Sequence, residues 1–253
     1  MKIRFFGDSW YWAWYHNKDK MKSKQFKKYL TERFFRRGYQ FRGVPALEMA
    51  LHYFGYECEN YCLSGSDFYK VTDDILTIPI SDNAKYNVVL FSSLVRDPKV
   101  FITTYDFKNY DNFINKFNND TIYLLKRIQN WAVKNNQYVI FVGGQSTLYK
   151  SIFNQAVNTK NMILLSECIT STLMGKPEPY KIFKLSSDFS HLVNETWNKQ
   201  IVDAIYEDYN IFKNDVIGYP CHTPDTAHLN ERGLILLADM IMNEIDRLEG
   251  DIK

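Results

Sequence analysis

Five short apolar runs recur along the chain, KIRFFG (2–7), YECENYCL (56–63), YNVVLFSSL (86–94), QYVIFVGG (137–144) and NMILLSE (161–167). These runs, most of them rich in β-branched or aromatic residues, read as strands. The segments between them carry a different period. PALEMALHYFG (45–55) reads as a helix with Pro45 in its opening turn and Gly55 at its end, and a second helix is expected over about 110–135. Near the C-terminus Leu234, Leu237, Ile241, Ile245 and Leu248 recur at spacings of three and four and form one apolar stripe. Apolar strands alternating with helices require a sheet covered on both faces. The predicted fold is a three-layer α/β/α sandwich around a central parallel sheet.

A chain of 253 residues can bury a substantial core as a single domain. No internal repeat or Gly/Ser linker divides it, so residues 1–253 are expected to form one domain. Its 45% hydrophobic and 24% charged residues are those of a globular protein, which excludes a disordered chain. Aromatic residues reach 16%, and Asn, Lys, Tyr, Phe and Ile are used freely, a bias shared with AT-rich genomes, bacteriophage genomes included. The opening MKIRFFGDS has a charge at position 4 and no apolar run before its turn, so it reads as a strand and not a signal peptide. No stretch approaches the roughly 20 apolar residues of a membrane span. A cytoplasmic protein is expected, with a virion as the alternative setting. Cys58, Cys62, Cys168 and Cys221 lack the paired spacings of a zinc site and are expected as reduced thiols. No metal and no cofactor is predicted.

The charge is uneven. Residues 16–42 hold ten Lys or Arg against Asp19 and Glu32. This basic stretch separates the first strand's turn from the first well-patterned helix and reads as an insertion within the domain. Phe26, Tyr29, Leu30, Arg33 and Phe34 stand at helical spacings inside it. It is either a solvated helix face or a contact for an anionic partner. No compact basic and aromatic recognition motif accompanies the charge, which argues against a nucleic-acid substrate.

Ligands of an open parallel sheet collect at the carboxyl ends of the strands. Ser9 follows the first strand in GDSW, Gly65 the second in CLSGSD, and Arg96 and Asp97 the third in SSLVRDP. PDTAHLNERG (224–233), with Asp225 and His228, lies just before the C-terminal helix. A serine hydroxyl is a poor nucleophile at neutral pH and needs a base to take its proton; histidine suits that task. A carboxylate on the other ring nitrogen holds the tautomer, and fixed donors must meet the oxyanion. Taken alone, GDS is an ordinary turn tripeptide. Asp188 and His191 repeat the Asp-x-x-His spacing and are a rival pair. Asp8 and His222 read as turn and loop residues, and GGQS (143–146) as a strand-to-loop turn lacking the full Gly-x-Ser-x-Gly pattern.

In these blocks and in their order, from Gly7 to Gly233, the chain resembles the SGNH hydrolases, or GDSL esterases. The resemblance implies Ser9 as nucleophile, His228 as base with Asp225 orienting it, and the backbone N–H groups of Ser9 and Gly65 in the oxyanion hole. It also favours Asp225/His228 over Asp188/His191, because the former pair sits at the last helix. One position departs: Arg96 stands where the family's oxyanion-binding Asn is expected. Trp10, Tyr11, Trp14 and Tyr15 pair at spacings of four if the turn runs into a helix, with Trp10 beside Ser9 the first candidate for a substrate wall. The expected function is hydrolysis of small acyl esters, among them carbohydrate O-acetyl groups, through an acyl-enzyme. The alternative is a non-catalytic binding or structural protein of the same fold, as part of a virion assembly.

Overall fold

A computed structural model describes residues 1–7, 46–62, 66–81, 83–91, 94, 98–144, 147–173, 195–202, 229 and 231–250. The strands are β1 (Lys2–Phe6), β2 (Glu57–Asn60), β3 (Tyr86–Phe91), β4 (Tyr138–Gly143) and β5 (Met162–Ser166). The helices are α1 (Ala46–Tyr53), α2 (Phe68–Thr77), α3 (Pro98–Thr104), α4 (Tyr110–Lys134), α5 (Lys150–Ala156), α6 (Ile169–Leu173) and α7 (Glu231–Gly250). All four strand pairings are parallel, in the order β2-β1-β3-β4-β5. Helices cover both faces, so the expected α/β/α sandwich is what the chain forms.

Strand alternation sends side chains to two separate cores. One contains Ile3, Phe5, Val88, Leu90, Ile140 and Val142 beneath Leu47 and Leu51 of α1 and the α7 stripe. All five stripe residues are buried, as their spacing requires. The opposite core contains Phe6, Val89, Phe91 and Phe141 beneath Phe68 and Ile75 of α2, Leu124 and Ile128 of α4, and Phe153 of α5. A polar row crosses this second face. Arg4 is register partner to Glu59 on one side and Asn87 on the other, and both Arg4 and Asn87 are buried. Glu59 accepts from Lys2 Nζ (2.7 Å) and Arg4 Nε (3.2 Å), and Arg4 Nη2 donates to the Pro79 carbonyl (3.0 Å). Asn87 Nδ2 donates to Gln137 Oε1 (3.2 Å) and to the Tyr138 carbonyl (3.0 Å).

Local chemistry explains where the elements stop. Tyr56 N–H reaches the Leu51 carbonyl and Gly55 N–H the His52 carbonyl, with Gly55 at φ 90°; α1 therefore ends on the six-to-one and five-to-two bonds of a Schellman motif. Asn60 Oδ1 accepts from Cys62 N–H at 2.8 Å, an Asx turn that ends β2 well before position 63. β3 likewise stops at Phe91, three residues short of the expected end. Helices over 68–77, 98–104 and 150–156 were not among the elements anticipated from periodicity. The first is capped by Asp67, whose side chain accepts from Lys70 N–H at 2.9 Å. α5 takes its cap from outside its own segment: Glu167 Oε2 accepts from Lys150 N–H at 2.7 Å.

Candidate functional site

In a sheet ordered β2-β1-β3-β4-β5 the chain first moves from β1 to one side, then crosses back to the other. Connections at the carboxyl ends of β1 and β3 therefore part in opposite directions, leaving a crevice at that switch point. Gly7 stands at this point, directly after β1. The residue ends β1 at φ 151°, and a Cβ there would lie 2.9 Å from both Cβ and the carbonyl oxygen of Leu90. Glycine is thus required twice over, by conformation and by the approach of β3.

Each candidate residue stands within a few positions of a described residue. Ser9 stands two residues after Gly7, with Trp10 next to it. Gly65 immediately precedes Ser66, which is buried, and Asp67, the cap of α2. Arg96 lies between Leu94, fully buried in the aromatic core, and the start of α3 at position 98. His228 immediately precedes Leu229, which is buried in the same core as Leu90, Cys62 and Phe5. The flanking residues Gly7, Ser66, Leu94 and Leu229 are all placed. Ser9, Trp10, Gly65, Arg96, Asp225 and His228 themselves lie outside the described residues. So do Asp8, Tyr11, Trp14, Tyr15, Asp97, Asp188, His191, Cys221, His222 and the basic stretch 16–42.

The far half of the carboxyl edge is tightly built. A Cβ on Gly143 would collide with the Glu167 carbonyl, so β4 and β5 meet here at backbone distance only because this position is glycine. Gly144 N–H donates to the Phe91 carbonyl (3.1 Å) and Leu148 N–H to the Glu167 carbonyl (2.9 Å). Gly143 and Gly144 of GGQS are thus anchored at the end of β4, and Gln145 and Ser146 lie outside the described residues. Ser166 and Thr172 share a hydrogen bond of 2.7 Å, and Glu167 caps α5. Sequence reasoning assigned none of these three polar residues. Their partners give them structural work, and the only sequence signal is that they lie at or just after the end of β5.

Cys58, Cys62 and Cys168 form no disulfide, and no cluster of three or more metal-ligating side chains occurs among the described residues. No helix among them is long and apolar enough to cross a membrane.

No sequence family matches the chain, and no curated protein sequence does. Solved structures do. The chain is similar to an acetyl xylan esterase at TM-score 0.42 and 13% identity, over 97% of this chain and 100% of that one. It is similar to a putative GDSL-like lipase from Parabacteroides merdae at TM-score 0.40 and 16% identity, over 96% of this chain and 94% of that one. A GDSL-like lipase from Bacteroides thetaiotaomicron follows at TM-score 0.40 and 10% identity, over 98% of this chain and 88% of that one. These are likenesses of backbone alone.

Proposed function

We propose that the chain is a serine ester hydrolase whose site opens at the β1/β3 switch point. The observation that supports this reading is the seating of Gly7, the first residue of Gly-Asp-Ser, against Leu90 at the switch point where a parallel sheet receives ligands. In the proposed reaction Ser9 Oγ attacks the ester carbonyl carbon while His228 takes the hydroxyl proton. The carbonyl π pair moves to the oxygen, which is met by the N–H groups of Ser9 and Gly65 and by the Arg96 guanidinium. The intermediate collapses, the alkoxide leaves with the proton returned by His228, and the acyl group stays on Ser9. Water, deprotonated by the same imidazole, then releases the acid and restores the serine. Asp225 holds the imidazole tautomer throughout. Small acyl esters are the substrate class, with Trp10 as a flat wall against which an O-acetylated sugar ring stacks.

Treatment with a fluorophosphonate followed by intact-mass measurement tests the reading. One adduct is expected on the parent protein and none on Ser9→Ala; labelling that survives the substitution excludes Ser9. His228→Ala should abolish hydrolysis of p-nitrophenyl acetate, by several orders of magnitude, while His191→Ala leaves it near the parent rate. Arg96→Ala should lower kcat by about 10²–10³ with little change in KM, because an oxyanion donor strengthens in the transition state.

Arg96, in place of an amide side chain, favours a second reading: a binding or structural protein that retains the fold. Absence of any fluorophosphonate adduct on the folded parent would select it. On either reading the ten basic residues of 16–42 suit an anionic partner, whose binding should weaken in a Lys24→Glu, Lys27→Glu, Lys28→Glu triple variant.

A further inference from the structure

A groove of about 510 Å³ runs between the end of α2 and the last turns of α4. Its apolar floor is Leu76, Ile78 and Trp131, and its rims carry Arg127 and Lys134. Both helices end here just before β3 and β4 begin, so the groove lies at the amino edge of the sheet, opposite the switch-point crevice. Its apolar wall is open to solvent, with Ile80 44% exposed. The wall is held from behind, because the buried Arg4 donates to the carbonyl of Pro79, the residue between Ile78 and Ile80. Cation dominates the rims. Among the described residues Arg127 meets Asp73 at 3.2 Å, that carboxylate is largely exposed, and Lys134 forms no ion pair.

From this geometry we propose that the groove is a docking surface for an acidic segment of a partner protein carrying apolar anchors. Openness decides between occupants. A small ligand needs most of its surface enclosed, which a trough between two helices does not supply. A linear peptide needs only one face covered, with apolar side chains at intervals and flanking charges. Leu76 and the exposed Ile80 supply the apolar seat, over the buried Ile78 and Trp131. Arg127 and Lys134 supply charge complementarity, which rejects basic segments and speeds encounter with acidic ones. Nothing in this proposal depends on ester hydrolysis.

The probe is the fluorescein-labelled peptide EELWEELFEE, with KKLWKKLFKK as its charge-reversed control, followed by fluorescence polarisation on the full chain. Saturable binding of the acidic peptide alone is expected, weakening as salt is raised. An Arg127→Gln, Lys134→Gln double variant and Ile80→Asp should each bind about tenfold or more weaker, while hydrolysis of p-nitrophenyl acetate stays at the parent rate. All three side chains are on the surface, and melting temperature checks the fold; if Ile80→Asp lowers it, Ile80→Ser carries the same test. Three results overturn the proposal: no saturable binding, equal binding of both peptides, or equal affinity across the variants. So does a dimer in sedimentation that Ile80→Asp dissolves, which would assign the groove to a second copy. Saturable binding of dodecanoate without binding of the peptide would assign it to a small anionic amphiphile.

Discussion

The two faces of the sheet solve the same burial problem with different materials. Beneath α1 and α7 the core is mainly aliphatic, and its helices present regular stripes. Beneath α2, α4 and α5 it is much richer in rings, with Phe68 against Phe91 (4.8 Å between ring centroids) and Phe141 (6.4 Å), and Phe141 against Phe153 (5.7 Å). A second ring group, Phe101, Phe107 and Phe113, stacks toward Trp197. The polar row of Glu59, Arg4 and Asn87 lies on this aromatic side. Aliphatic packing depends chiefly on area and volume, whereas ring packing also depends on orientation. The aromatic face should therefore tolerate substitution less well.

The largest effect expected from this contrast is at Phe141, fully buried and touching rings on two helices. Phe141→Ala should cost about 3–5 kcal/mol in urea unfolding, and the milder Phe141→Leu about 1–3 kcal/mol. On the other face Ile241→Leu should cost less than about 1.5 kcal/mol. A double-mutant cycle sharpens the comparison: Phe68 and Phe141 should show a coupling of about 0.5–1.5 kcal/mol, while Leu237 and Ile241 add nearly independently. Equal costs on the two faces would break the contrast.

The same contrast explains what could be read from the sequence. α7 announces itself because five large aliphatic residues occupy one stripe. α2 has the equivalent pattern, with Phe68, Val71, Thr72 and Ile75 buried at helical spacing, but a threonine fills one apolar position and Asp67 looks like loop. Thr72 is accommodated because its hydroxyl donates to the Phe68 carbonyl at 2.7 Å, a bond no period reveals. The ends of β2 and β3 were placed too late because apolar residues continue past them; Leu94 is core without being strand. For the candidate site, Ser9, Gly65 and Arg96 each come a few residues after a strand and His228 just before the last helix, places that local patterns mark. The strand order that makes β1/β3 the switch point depends on pairing between distant segments, which local patterns do not encode.

A middle-sized effect belongs to the polar row. Glu59 is the acceptor that the buried Arg4 guanidinium faces from β2, and its hydrogen bond from Lys2, followed by that from Arg4, holds its carboxyl below the usual range. Glu59→Gln should cost about 1–3 kcal/mol, the range for a buried donor losing a charged acceptor. The sign with pH follows. Because the folded-state pKa is depressed, the stabilisation is present above the ordinary carboxylate pKa and is lost as pH falls through the lower folded value. The gap between parent and Glu59→Gln should narrow on acidification below about pH 4. A gap independent of pH would show that Glu59 acts by packing alone.

The smallest effect concerns Tyr105, where the aromatic face turns polar. Its ring packs among Phe101, Phe113 and Phe117, and its hydroxyl donates to Asp120 Oδ2 at 3.2 Å. Asp120 also accepts from Lys116 Nζ at 3.1 Å. Burial, then the Asp120 charge, pushes the Tyr105 phenol well above its ordinary value; the same causes push Tyr69 up to about 12. A raised folded pKa contributes stability that is intact below the unfolded value near 10 and is lost as pH climbs toward the folded one. At neutral pH Tyr105→Phe forfeits one hydrogen bond to a charged acceptor and should destabilise by about 1 kcal/mol. On raising the pH to 11 the parent should lose about 1 kcal/mol that the variant keeps, because only the parent's unfolded state gains by ionising this phenol. The two stability curves should therefore converge in alkali. Tyr86 tests whether this belongs to the aromatic face, since burial and Glu249 raise its pKa on the aliphatic side through a longer contact of 3.4 Å. Tyr86→Phe should cost less at pH 8 than Tyr105→Phe yet converge in the same way, and curves that stay parallel for Tyr105→Phe would remove the phenol from the alkaline response.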